Sequence, residues 1–131
     1  MKKLLFILAV VLLSFTFISC GDDDNENESD KIGIAGECKT DEDCKTEGLT
    51  CLLDFKGGYC GVADCTKNED CPESSLCVTE NSKNFCFRSC TDKVECNENR
   101  SEDNEANCSG SFDLASQDDT TKLKACIPPS N

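Results

Sequence analysis

Apolar residues are concentrated at one end of this chain. Leu4 to Leu13 is an unbroken apolar run, and Ser14 to Ser19 continues it with small and aromatic residues up to Cys20. A run of about 16 residues falls short of the roughly 20 that span a bilayer, and the polar Ser14 and Thr16 weaken an anchor further. Preceded by the positive start Met1-Lys2-Lys3, residues 1–19 read as a secretory signal peptide. Gly21 to Asp30 is acidic and has no apolar anchor, so residues 20–36 are expected to form a solvated, disordered tether.

Beyond residue 36 the large apolar residues are scattered: Leu49, Leu52, Leu53, Phe55, Tyr59, Leu76, Phe85, Phe87, Phe112, Leu114, Leu123 and Ile127. This pattern predicts turns with short strands. Phe55-Lys56-Gly57-Gly58-Tyr59 reads as a hairpin turning through Gly57-Gly58. Glu80 to Asn84 is a second turn, leading into Phe85-Cys86-Phe87, and Leu114–Ala125 is expected to hold a short helical turn.

Composition explains how so few apolar residues can fold. The chain has 131 residues, of which 13 are cysteine, and a formal net charge of −13. Its length suggests one modest domain. Cysteine at that density marks a disulfide scaffold, because a core this small cannot offset chain entropy without covalent help. The negative field keeps such a surface soluble and argues against nucleic acid and against adsorption on anionic lipid; it leaves cations or a basic protein as partners.

Phe17-Ile18-Ser19-Cys20 resembles the lipobox of bacterial lipoproteins, with a small residue before the cysteine and Phe17 in place of the commoner Leu. The resemblance implies cleavage before Cys20 and diacylglyceryl transfer to its sulfur, with palmitate-type acyl chains holding the protein on a membrane. Each buried CH₂ contributes roughly 0.8 kcal/mol to such an anchor. Gly21 directly after the cysteine, rather than Asp, favours the outer membrane by analogy, and the acidic cluster behind it resembles surface-export signals of some lipoproteins. Setting Cys20 aside leaves twelve cysteines, an even number that can all pair.

Those twelve resolve into a repeat. The first unit, 38–60, is C-x5-C-x6-C-x8-C; the second, 65–86, is C-x5-C-x5-C-x8-C; the third, 90–126, is C-x5-C-x11-C-x17-C. Each x5 loop ends in an acid (Asp43, Asp70, Glu95) and begins with Thr at its first or second place (Thr40, Thr66, Thr91). In the first two units Leu lies just ahead of the third cysteine (Leu49, Leu76), and an aromatic precedes the fourth (Tyr59, Phe85). The third unit carries polar insertions at 97–107 and 109–125. The predicted architecture is therefore a small disulfide-rich domain, 37–131, of tandem four-cysteine repeats, mostly turns with short β-hairpins.

The array, with an acid before the second cysteine and an aromatic before the fourth, is similar to the Dickkopf N-terminal cysteine-rich domain over residues 38 to 96. That likeness implies a fold type only. Spacing leaves three pairings open in each unit. Crossed pairing, first to third and second to fourth, is preferred because adjacent pairing leaves the two halves of a unit untied. Crossed loops of about 15 residues are nominally worth roughly 3 kcal/mol each. The expected pairs are Cys38–Cys51, Cys44–Cys60, Cys65–Cys77, Cys71–Cys86, Cys90–Cys108 and Cys96–Cys126.

Candidate chemistry is sparse. The chain has no histidine and no C-x-x-C pair, and Cys86-x3-Cys90 is the junction of two units. Thiolate zinc sites conflict with an exported, oxidising setting. Carboxylates lie in solvated runs with no apolar pocket to raise a pKa, so no acid/base pair and no catalytic residue is expected. Asp41-Glu42-Asp43 and Asn68-Glu69-Asp70 read first as solvated turns, and at most as weak calcium sites. Asn99-Arg100-Ser101 and Asn107-Cys108-Ser109 match the N-glycosylation pattern. The sequence favours a lipid-anchored cell-envelope protein that presents a binding or structural module, with no cofactor. Its alternative is a freely secreted inhibitor or toxin-like effector with an acidic propeptide.

Overall fold

The computed structural model describes residues 33–116 and 123–131. The longest regular element is a hairpin of β3 (Ser75–Glu80) and β4 (Lys83–Arg88), paired in six-residue register from Ser75↔Arg88 to Glu80↔Lys83. Asn81 and Ser82 close it with φ of 50° and 65°. Two successive left-handed residues match the right-handed twist of the strands they join, as in a type I′ turn.

The rest of the sheet assembles around this hairpin. β2 (Cys60–Ala63) pairs with β4, and β1 (Thr50–Cys51) pairs with β2 through Thr50↔Gly61 and Cys51↔Cys60. After a five-residue helix α1 (Lys93–Asn97), β5 (Asn107–Ser109) and β7 (Ala125–Ile127) form a separate two-stranded ribbon. β6 (Asp113–Leu114) returns to the outer edge of β3, giving the order β1-β2-β4-β3-β6, with every pairing antiparallel. No helix among the described residues is long and apolar enough to cross a membrane. The molecule is a small disulfide-rich fold of turns and short antiparallel strands.

Four aromatic rings make the centre of the core. Phe55 meets Tyr59, Phe85 and Phe87 edge-on, with centroids 6.2, 5.0 and 5.3 Å away, and Tyr59 meets Phe87 at 5.2 Å. Such pairs contribute about 0.5–1.5 kcal/mol beyond area burial. Tyr59 and Phe85 are the aromatics that precede the fourth cysteine of units one and two, so the two repeats share one core.

Two sequence expectations are corrected. The tether does not reach residue 36. Ile34 is 1 % exposed within the aromatic cluster, and Ala35 N donates to Cys60 O at 3.0 Å while Cys60 N donates to Gly36 O at 2.9 Å. The large apolar side chain of Ile34, with the smaller Ala35 beside it, is worth more buried than solvated, and it draws 33–36 into the fold.

Gly57-Gly58 does not join two strands directly. Gly58 N donates to Phe55 O at 2.9 Å, making a tight turn inside an eight-residue loop between Cys51 and Cys60. The wider loop lets Phe55 reach the core. In Leu114–Ala125, both ends lie in strands β6 and β7 and residues 117–122 lie outside the described residues. The α-helix of the described residues lies at Lys93–Asn97, where Asp92 accepts from Val94 N and Glu95 N and so caps the first turn.

Candidate functional site

Twelve cysteines form six disulfides: Cys38–Cys51, Cys44–Cys60, Cys65–Cys77, Cys71–Cys86, Cys90–Cys108 and Cys96–Cys126. Every unit is crossed, first to third and second to fourth. The crossing stacks the two bridges of a unit. The sulfurs of Cys38, Cys44 and Cys60 lie within 4.8 Å of one another, and so do those of Cys65, Cys71 and Cys77, and of Cys90, Cys96 and Cys108. Each of these sulfurs is already bonded to another sulfur, so the clusters offer no thiolate for a metal. Cys20, the expected lipidation residue, lies outside the described residues.

The recurring Thr and acid of the x5 loops serve the backbone. Asp43 Oδ2 accepts from Lys39 N at 2.8 Å, Thr40 N at 2.9 Å and Thr40 Oγ1 at 3.4 Å. Asp70 Oδ2 accepts from Thr66 N at 2.8 Å, Thr66 Oγ1 at 2.7 Å and Lys67 N at 3.2 Å. Glu95 accepts from Thr91 N and from the Thr91 hydroxyl. Donors aimed at a carboxylate favour its charged form. The amides of Lys39 and Thr40 hold Asp43 below the usual carboxylate range, and the hydroxyl and amide of Thr66 do the same for Asp70.

A second layer crosses each of the first two units. Asp41 Oδ1 accepts from Cys51 N at 2.7 Å and Asn68 Oδ1 from Cys77 N at 2.9 Å. The acidic triplets singled out as weak calcium sites thus commit Asp41, Asp43 and Asp70 to holding their own loops, which leaves the exposed Glu42 and Glu69 outside these cap networks.

The stretched third unit clasps the first. Arg100 donates to Asn104 O at 2.7 Å, Lys56 O at 2.7 Å, Gly58 O at 2.9 Å and Ala35 O at 3.3 Å. Glu37 accepts from Ser101 N at 2.9 Å, Ser101 Oγ at 2.8 Å and Asn104 Nδ2 at 2.8 Å, and those donors lower its pKa, the Ser101 amide first. The sequon Asn99-Arg100-Ser101 therefore has two of its three side chains occupied in the clasp, while Asn99 and Asn107 are exposed. Arg88, buried on β4, donates to Glu95 O and lies 3.4 Å from a Glu98 carboxylate oxygen.

The sequence reading passed over both arginines. The one signal available was their type: only two of the thirteen basic residues are Arg, and a planar five-donor fork suits convergent carbonyls better than an ammonium does.

Between units one and two lies an open groove of about 360 Å³. Leu49, Val62 and Pro72 line it together with Thr46, Glu47, Gly48 and Asp70. No sequence motif pointed to it. It sits beside the x6 loop, which is one residue longer than its x5 counterpart in unit two. Comparison of the chain with protein-family models, with curated proteins and with solved structures finds no match.

Proposed function

We propose that this is a lipid-anchored protein of the cell envelope, acylated at Cys20, whose disulfide-stapled module serves protein contact rather than catalysis. The observation that carries the reading is the pairing of cysteines. All twelve that lie among the described residues are in disulfides, and the thirteenth, Cys20, ends an apolar leader. Six disulfides belong to an exported, oxidising setting, where an unpaired thiol is a liability unless it is modified. Acylation at Cys20 removes that thiol and supplies the anchor. Gly21 after the cysteine supports an outer-membrane address, and the acidic stretch behind it supports surface exposure.

A non-catalytic role is supported by the use of the carboxylates. The carboxylates of Asp43, Asp70 and Glu37 are favoured in their charged form by backbone and side-chain donors, opposite to the raised pKa that a general acid needs.

Intact mass spectrometry of the membrane fraction tests the reading. The expected species begins at Cys20, carries acyl mass and has six disulfides with no free thiol. A mature chain beginning near Lys31–Glu37 with no lipid, recovered from the medium, overturns it in favour of a freely secreted disulfide protein. Cys20→Ser is expected to abolish palmitate labelling and membrane association together.

A further inference from the structure

The groove between units one and two combines an apolar lining with two carboxylates. Leu49, Val62 and Pro72 supply its apolar lining, and Glu47 and Asp70 supply its carboxylates. Asp70 is pre-set. Its Oδ2 takes all three capping hydrogen bonds, so Oδ1 has no hydrogen-bond partner among the described residues. Glu47 enters no ion pair among the described residues either. Gly48, also in the lining, adopts φ of +90°, and a Cβ built there meets nothing within 4 Å, so the chain is open to solvent at that point.

A hard cation such as calcium wants six to eight oxygens, whereas Leu49, Val62 and Pro72 make much of this lining hydrocarbon. An anionic lipid surface is repelled by a chain of net charge −13. Lysine and arginine fit both features, because each carries an aliphatic stem that packs on apolar surface and a cationic head that seeks carboxylate.

We propose that this groove docks a lysine or arginine side chain presented by a basic segment of a partner protein, its stem against Leu49, Val62 and Pro72 and its head between Glu47 and Asp70. The inference rests on the reading of the module as one for protein contact and names the chemistry of its partner. The overall negative charge of the chain steers a basic partner toward the protein, and the groove supplies the local fit.

The test is an amide chemical-shift titration of the exported protein as purified, with the acetylated, amidated peptide Ala-Arg-Leu-Arg-Ala as probe. Saturable shifts are expected, confined to 46–49, Val62 and 70–72. The same peptide with citrulline in place of both arginines is expected to give none. Glu47→Gln and Val62→Thr are each expected to weaken binding about threefold, and Asp70→Asn about tenfold, the loss of a charge-assisted contact.

Because Asp70 also caps its loop, the Glu47 and Val62 variants carry the result if Asp70→Asn fails to fold. Shifts spread over the whole acidic surface and unmoved by Val62→Thr overturn the site. Equal shifts from spermidine overturn a protein partner. The absence of saturable shifts overturns the groove while leaving the lipid anchor standing, since the titration does not depend on the state of Cys20.

Discussion

The guanidinium of Arg100 lies 5.8 Å from the centroid of the Tyr59 ring, so the third unit reaches the aromatic core of the first two. Its hydrogen bonds to Ala35, Lys56 and Gly58 gather the entry segment and the turn ahead of Tyr59 onto one side chain. Arg100→Ala strips three inter-segment carbonyls of a charged donor and opens one side of the Tyr59 ring. The expected cost is about 2–4 kcal/mol in denaturant unfolding with the disulfides intact. Arg100→Lys is expected to recover less than half of that, because one ammonium cannot serve carbonyls spread over the fork.

Gly58 is the position least tolerant of a side chain. At φ of +70°, a Cβ there would stand 2.1 Å from Cys38 O and 2.9 Å from the sulfurs of Cys38 and Cys51. Neither the backbone nor the bridge can yield cheaply. Gly58→Ala is expected to destabilise the fold by at least about 3 kcal/mol. In oxidative refolding it should lower the yield of the Cys38–Cys51 pair, as read by peptide mapping of the disulfides.

Cysteine spacing made the frame legible, because four-cysteine units with a common opening loop stand out in a chain this poor in other signals. The hairpin turn at Asn81-Ser82 was legible for the same local reason: a polar turn between strand-forming residues. The Thr and acid of each loop were visible as a repeat, but their part in the fold was not, since a carboxylate that caps its own loop reads the same in sequence as one in a solvated turn. Arg100 and Glu37 were hidden because the residues they join are 42 to 67 positions apart, and only folding brings them together. The groove was hidden for a related reason: Leu49, Val62 and Pro72 share no period and come from unit one, the connection between units and unit two.

Acid should loosen the loops before it opens the core. Asp43, Asp70 and Glu37 all have folded pKa values below their ordinary ones, so each stabilises the fold above the unfolded carboxylate pKa of about 4. That stabilisation is lost as pH falls through the lower folded values. Denaturant stability is expected to be flat from about pH 5 to 7 and to decline below about pH 4. Asp43→Asn and Asp70→Asn should be less stable at neutral pH and should show a shallower decline.

Tyr59 gives an optical reading of the core at the alkaline end. It is the only tyrosine in the chain, it is fully buried, and its hydroxyl accepts from Arg88 N at 3.0 Å. Burial pushes its pKa above the ordinary value, with the Arg88 amide and the two arginine charges opposing. A raised folded value means that the contribution is intact below the unfolded pKa of about 10 and is lost as pH rises. Absorbance near 295 nm should show no phenolate in the native protein at about pH 11 and full ionisation once denaturant is added. Ionisation at the ordinary pKa without unfolding would contradict the buried position.

Ile34 decides where the folded module begins. It is the first large apolar residue among those described, it is 1 % exposed, and it packs with the cluster that holds Phe55 and Tyr59. Its neighbours fix it in place: Ala35 N and Cys60 N each bond across to the opposite chain segment, and Glu37 N donates to Asn99 O at 3.0 Å. Ile34→Ala removes buried hydrocarbon from the core cluster, so a cost of about 2–4 kcal/mol is expected. Ile34→Asp places a charge in the same pocket and is expected to prevent native pairing of Cys44 with Cys60 during refolding. A chain shortened to begin at Gly33 should match the longer one in denaturant midpoint, whereas one shortened to Glu37 should lose about as much as Ile34→Ala or more. Equal stability of the two shortened chains would place the start of the fold at Cys38 and count Ile34 as part of the tether.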